Sequence, residues 1–161
     1  MANGTRTQGT KVYFIDSSTT DGPELVTLSC PTGLQGLGGA RDQIEDTCLD
    51  NTDEKTFVAG LGNPGPVTVP FIFNPQAASH ELLFALKANG DTLLWAVGLS
   101  DGTAAPTIQS DNDIVVAATR SWFEFSGFVS DVNIDIATNE VVRGTLTIQR
   151  SGAVTFTRKT A

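Results

Sequence analysis

The chain has 161 residues, 40% of them hydrophobic and 17% charged, which is the size and balance of one globular domain with a sizeable core. Eighteen acids against ten bases leave a net charge of -8, a surface that repels phosphate and excludes tight nucleic-acid binding through a basic patch. No apolar run approaches the ~20 residues that cross a bilayer, so no membrane anchor is expected, and the opening MANGTRTQGTKVYF lacks the apolar stretch of a secretory leader.

Residues Met1–Thr10 are polar and read as a flexible N-terminal arm. Lys11–Asp16 is β-branched and aromatic, a first strand, and Ser17–Pro23 is a turn cluster. Glu24–Cys30 is a second strand, with Val26, Leu28 and Cys30 on one parity. Pro31–Gly39 reads as a Gly-rich loop. Cys30 and Cys48 have no metal-type spacing and are expected to be reduced, partly buried thiols, although a disulfide between them is left open.

The stretch Arg41–Phe73 stands out. Two strand-like runs, Arg41–Leu49 and Val67–Phe73, flank a long polar, Gly/Pro-rich insert. Compact domains rarely carry such an insert unless it binds something or is disordered, so it is read as a docking arm. Pro70 cannot donate to a ladder and predicts an edge or a bulge for its strand.

One helix is signalled. Asn74 is placed to cap it, Pro75 suits its first position, and Gln76–Lys87 carries an apolar stripe of Ala78, Leu82, Leu83, Leu86 and Phe84; Asn89 and Gly90 end it. Thr92–Gly98 is the next strand, Ser100–Asp113 a polar loop and Ile114–Ala118 a short strand. A hairpin follows, Trp122–Ile136 turning at Thr138–Glu140 into Val141–Arg150, and Ala153–Arg158 closes the chain. Many strands with one helix predict a mainly β fold, a β-sandwich or barrel with a flanking helix and a long hairpin loop, as a single domain.

The late hairpin divides by parity. Phe128, Val132, Ile134 and Ile136 alternate with Asp131, Asn133 and Asp135, and Val142, Leu146 and Ile148 alternate with Arg143, Thr145, Thr147 and Gln149. A three-residue turn sets Asp135 opposite Arg143, Asn133 opposite Thr145 and Asp131 opposite Thr147. Two readings stand for this polar face: an ordinary solvent face, or the wall of an aqueous channel whose acids keep polyanions from adhering.

Catalytic and metal chemistry finds little support. Asp42, Glu45, Asp46 and Asp50 cluster, but without the spacing and central glycine of a calcium loop. Gly33–Gly39 lacks the Lys-Ser/Thr ending of a phosphate-binding loop. His80, the only histidine, is read as a helix-surface residue with no nucleophile motif to serve. No enzymatic activity, cofactor or metal is expected.

The order of pieces resembles the tail tube (major tail) proteins of long-tailed bacteriophages. It runs from Asp46-Thr47-Cys48-Leu49-Asp50, through Phe57 and Ala59–Gly65, to the strand Val67–Phe73. Then come the single helix Pro75–Ala88, Trp95, the strand containing Phe125-Ser126-Gly127-Phe128-Val129, and the return strand before Ser151-Gly152. The resemblance implies hexameric rings whose sheets join into one β-barrel and stack into a tube through which the double-stranded genome leaves without specific binding.

It implies that the loop of about Asp50–Pro66 reaches the next ring, with Asp50, Asp53, Lys55, Phe57, Leu61, Asn63 and Pro64 as contact residues. Arms Met1–Thr10 and Arg158–Ala161 would assist. Asp131, Asn133, Asp135, Arg143, Thr145 and Thr147 would face the lumen, with Asp42 and Glu45 as secondary lumen candidates. Partners implied are further copies of the chain and the tape-measure, tail terminator and distal tail or baseplate proteins. The location implied is the virion tail, assembled in the bacterial host cytoplasm. A long non-contractile tail without the appended immunoglobulin-like domain of some relatives is expected. The alternatives are a related ring component (terminator, distal tail protein or contractile-injection inner tube) and a stand-alone ligand-binding β-sandwich.

Overall fold

The computed structural model describes residues 4–17 and 20–161. In chain order it contains β1 (Lys11–Asp16), β2 (Glu24–Thr27), β3 (Arg41–Glu45), β4 (Phe57–Gly62), β5 (Pro66–Ile72), α1 (Ala78–Asn89) and β6 (Thr92–Gly98). These are followed by β7 (Thr107–Ile108), β8 (Ile114–Val115), β9 (Trp122–Asp135), β10 (Arg143–Arg150) and β11 (Thr155–Thr157). The mainly β expectation with one helix holds among the described residues.

The body is one antiparallel sheet in the order β2-β1-β6-β9-β10-β5, with β11 also on β9. Its two outer strands are joined by the chain itself. After β2 the backbone bends at Cys30, whose φ is +50°, and continues along the far edge of β5 through the bridges Pro31↔Phe71 and Gln35↔Thr68. Gln35 and Thr68 exchange backbone bonds of 3.0 and 2.8 Å, and the Ile72 amide donates to the Cys30 carbonyl at 3.1 Å. Residues 24–35 therefore hold β1 at one end and β5 at the other, which rolls the sheet around a single core and covers both open edges. The expected Gly-rich loop at 31–39 is in part this seam.

Pro70 fits its strand for a geometric reason. The amide and carbonyl of a strand residue point to the same side. The Pro70 carbonyl accepts from the Thr32 amide at 2.8 Å, so its missing N–H faces the seam and not the β5–β10 ladder.

Inside the roll lie Phe14, Trp95, Phe125, Val67, Val69, Phe71, Leu146 and Ile148, with Leu83 and Leu86 of α1 packed among them. Gly144 lies under Phe71, and a Cβ at that position would strike the ring, so only glycine lets β10 approach there. A second, smaller cluster of Tyr13, Ala96 and Trp122 occupies the opposite face, covered by Ile114 and Val116. Double coverage explains why β1 is apolar at almost every position instead of alternating. Arg120 is 1% exposed beside that cluster. Its guanidinium donates to the carbonyls of Leu99, Ala104, Gly9 and Gly98 and to the Tyr13 hydroxyl, at 2.5–3.4 Å, and lies 5.1 Å over the Trp122 ring. Every N–H of a buried cation is thereby used.

Several sequence expectations are corrected. Residues 4–10 are tied to the body rather than loose: the Ser100 hydroxyl donates to the Arg6 carbonyl and Arg120 holds Gly9. The remainder of the expected arm, Met1–Asn3, lies outside the described residues, as do Ser18 and Thr19 of the expected turn cluster. The helix starts later than Pro75, with Ala77 as its N-cap and no side-chain cap; Asn74 instead closes an Asx turn onto the Gln76 amide at 3.0 Å. Gly90 ends it in the left-handed conformation at φ 70°, as expected. Ala78 and Phe84 are exposed, and His80 is not a surface residue but fully buried. Its Nδ1 accepts from the Asn74 amide at 3.0 Å and its Nε2 donates to the Ser29 carbonyl at 2.8 Å, between the rings of Phe71 and Phe73. Both cysteines are free and exposed, neither partly buried nor bridged.

Candidate assembly interface

Two surfaces stand apart from the core. The first is the β3–β4 hairpin. Glu45 pairs with Phe57, Ile44 with Val58 and Gln43 with Ala59, and the two strands form a sheet separate from the body. The connection is a folded tip. Thr56 donates through its hydroxyl to the Asp46 carbonyl (2.5 Å) and receives at its own carbonyl the Asp46 amide (2.8 Å). Lys55 Nζ lies 3.2 Å from Glu45 Oε2, and the Asn51 side chain bonds to the Glu54 carbonyl at 2.8 Å.

The expected insert between two wall strands is thus corrected. The first flanking run ends at Glu45, the insert contains a strand of its own, and only the second run, observed as Pro66–Ile72, joins the main sheet. Asp42 and Glu45 lie on β3 of the hairpin and not on β9 or β10. Asp50, Asp53 and Lys55 lie in the tip, Phe57 and Leu61 on β4, and Asn63 and Pro64 at the root.

The root is fastened to the body. The Asn63 amide donates to the Ala40 carbonyl at 2.9 Å. Arg150, buried on β10, donates from Nε to the Gly65 carbonyl at 3.1 Å and from Nη2 to the Gly38 carbonyl. Sequence reasoning missed Arg150. The signal was present, because it shares the parity of the core residues Leu146 and Ile148. Arg120 carried no comparable periodic signal.

The hairpin buries none of its strand residues. Ile44 is 58% exposed, Val58 52%, Phe57 53% and Leu61 83%. Ile44 and Val58, a cross-strand pair, occupy one face and Phe57 the other; the register shifts between Arg41 and Gln43, so β4 carries an extra residue next to Leu61. A two-stranded ribbon with apolar side chains in water on both faces is marginal by itself and is the kind of surface that partner contacts cover.

The second surface is the polar face of the β9–β10 hairpin. Asp135 pairs with Arg143, Asn133 with Thr145 and Asp131 with Thr147, the expected register. The ladder ends at Asp135↔Arg143, so the connection is longer than three residues, but it is centred on Asn139, left-handed at φ 60°, and the register is unchanged. Ile72, Pro70 and Thr68 of β5 extend the three rows. The register shifts after Thr147, leaving Ser130 as an extra residue. That bulge reverses the parity upstream, so Val129 and not Phe128 enters the core. Asp131 is paired with Lys87 Nζ at 3.0 Å.

Elsewhere, Glu124 and Asp113 line one small pocket of about 200 Å³. Partial burial, and then the Asp113 charge, push the Glu124 carboxyl up. Asp101 is held below the usual carboxylate range by the hydroxyl and amide of Ser121. Among the described residues no three His, Cys, Asp or Glu side chains are grouped to hold a metal ion.

Comparison with known proteins agrees with this architecture. Residues 3–160 match the family described as phage tail tube, lambda-like. The chain is 42% identical over 154 residues to structural protein 3 of Pseudomonas phage PAJU2, covering 93% of this chain and 92% of that one. Its fold is similar to the C6-symmetric tail of an empty gene transfer agent particle, with a TM-score of 0.65 at 13% identity over 96% of this chain and 99% of the other. It is also similar to the tail tube of SPP1, with a TM-score of 0.60 at 13% identity over 98% and 81%. A family match over nearly the whole length, set on a rolled sheet with an unburied apolar hairpin, places this chain in the phage tail tube family as a structural protein of the tail tube.

Proposed function

We propose that the chain closes into six-membered rings that stack, with the polar β9–β10 face lining the channel and the β3–β4 hairpin reaching the next ring. The observation that carries this reading is the hairpin. Its apolar side chains are exposed on both faces while its root is locked to β10 through Arg150. It is an arm with a fixed origin and nothing of its own to cover it. The six-fold symmetry of the gene transfer agent tail supports the ring number. A head-to-tail contact whose rotation closes makes a ring, and repetition along the axis makes a tube.

The channel reading rests on side-chain chemistry. Acids and short hydroxyls on β9 and β10 offer a passing polyanion neither a cationic ladder nor an apolar patch. The tape-measure, tail terminator and distal tail proteins are the partners such a tube needs, because a repeating subunit has no means of counting rings.

Excising residues 41–62 and closing Ala40 to Asn63 with two glycines tests the arm. Those two residues are already hydrogen-bonded, so the body should fold as a soluble monomer that forms no tubes in negative-stain micrographs. Normal tubes from this variant would refute the docking role.

A further inference from the structure

The two buried arginines of this fold are spent differently. Arg120 uses all five of its N–H groups on the protein. Arg150 is 4% exposed, yet it makes two bonds, from Nε to the Gly65 carbonyl at 3.1 Å and from Nη2 to the Gly38 carbonyl. Among the described residues its Nη1 has no partner, and neither ion pair includes it. No fully buried side-chain nitrogen or oxygen among those residues lacks a partner, so Nη1 is reached by solvent. The space that Arg150 lines is a pocket of about 480 Å³ at the root of the β3–β4 hairpin.

That pocket is cationic in an acidic chain. Arg41, the first residue of β3, is its other charged wall residue, and no Asp or Glu lines it, although the chain carries eighteen acids. Arg41 makes one long bond, 3.4 Å, from Nη1 to the Gly60 carbonyl. A Cβ at Gly39 would lie 3.1 Å from Arg150 Nη2 and 2.8 Å from the Asn63 carbonyl oxygen, so glycine lets the seam run this close to the guanidinium. Leu37, Pro64 and Val154 supply an apolar part of the wall.

A buried guanidinium with unspent N–H groups and no counter-charge carries a desolvation cost that an oxyanion removes. The planar fork of arginine matches the two oxygens of a carboxylate, and an apolar wall suits the carbon stem behind them. We propose that this pocket is a carboxylate-binding site, in which Arg150 and Arg41 pair with the carboxylate and Leu37, Pro64 and Val154 take its stem. A bound carboxylate would join a residue of the hairpin, Arg41, to one of the body, Arg150, and so fix the hairpin at its root. The same chemistry has two sources, a free organic acid or an acidic side chain of a second copy of this chain. The site does not depend on whether the hairpin docks on another ring.

The test uses the full chain as a monomer, with succinate as the probe and sodium chloride at matched ionic strength as the control. Succinate should shift the backbone amide resonances of Gly38, Gly39, Gly62 and Gly152 saturably in a proton–nitrogen correlation spectrum. Arg41→Gln should weaken that binding about tenfold, the effect of one charge-assisted hydrogen bond. Removing Arg150 risks the fold, so Ala153→Trp, at an exposed wall position, is the second variant. It should fill the pocket and abolish the shifts while the circular dichroism spectrum stays that of the parent. No saturable shift in the parent, parental affinity in both variants, or the same shifts from chloride alone would overturn the site. Inorganic phosphate binding as tightly as succinate would overturn its assignment to carboxylates. Tube assembly separates the sources, and either result supports the site: if a second copy supplies the carboxylate, succinate competes and tube yield falls as it is added, whereas yield holds or rises if the ligand is a free acid.

Discussion

The ammonium of Lys87, in the last turn of α1, lies 3.0 Å from Oδ1 of Asp131 on β9, so the helix supplies the counter-charge for one acid of the proposed channel wall. Both groups are about half exposed. Lys87→Gln should therefore change monomer stability by no more than about 0.5 kcal/mol while leaving Asp131 without its counter-charge. Asp131→Lys with Asp135→Lys reverses the wall and sets a like charge against Lys87. Tubes should still form, and DNA release from virions carrying the variant should slow, measured by receptor-triggered genome ejection. Cryo-electron microscopy that placed both side chains on the outer surface of the tube would sink the lumen assignment.

His80 joins α1 to the seam. It is buried between Phe71 and Phe73 and bonds to Asn74 and Ser29, while Ser79 receives the Ser29 amide at 3.2 Å. His80→Ala leaves a cavity and an unsatisfied amide and carbonyl, and should cost about 2–4 kcal/mol in the monomer. Urea unfolding followed by tryptophan fluorescence checks this. A midpoint equal to that of the parent chain would contradict the role.

Glu124 faces Asp113 across their pocket, and its carboxyl is pushed up by partial burial and by that neighbour. A folded-state value above the unfolded one means that the folded chain binds the proton more tightly, so ionisation at neutral pH costs stability and the cost fades as pH falls. Glu124→Gln should raise the melting temperature at pH 7 by roughly 1–3 °C. The gain is complete above the raised folded value and gone below the ordinary glutamate range. Melting curves of both chains between about pH 3.5 and 8 give the comparison, and a gain that grew toward acid pH would be the wrong sign.

Local pattern in the sequence was enough for β1 and β6 at their observed limits, for the helix with its Gly90 cap, and for the β9–β10 register through Asp135 and Arg143. Those features follow from alternation, from a cap that needs φ > 0 and from a symmetric turn, all written within a few residues. The polar row of Asp131, Asn133 and Asp135 was legible for the same reason. The bulge at Ser130 was not, because an inserted residue is defined only against the partner strand.

Other features exist only once distant segments meet. The seam that closes the roll pairs residues 30–35 with β5, and nothing in a Gly-rich stretch announces its partner. His80 and Arg120 are polar residue types with no local sign of burial, and they are buried because backbone carbonyls and amides from remote segments satisfy them. That β4 exists, and that it pairs with β3 instead of joining the main sheet, was likewise decided by pairing beyond the local pattern. By itself the sequence determined the family, the element types and the acidic face. The tertiary structure alone decided which chain segments close the core and which apolar side chains are left outside it, since burial is a property of packed surfaces and not of residues.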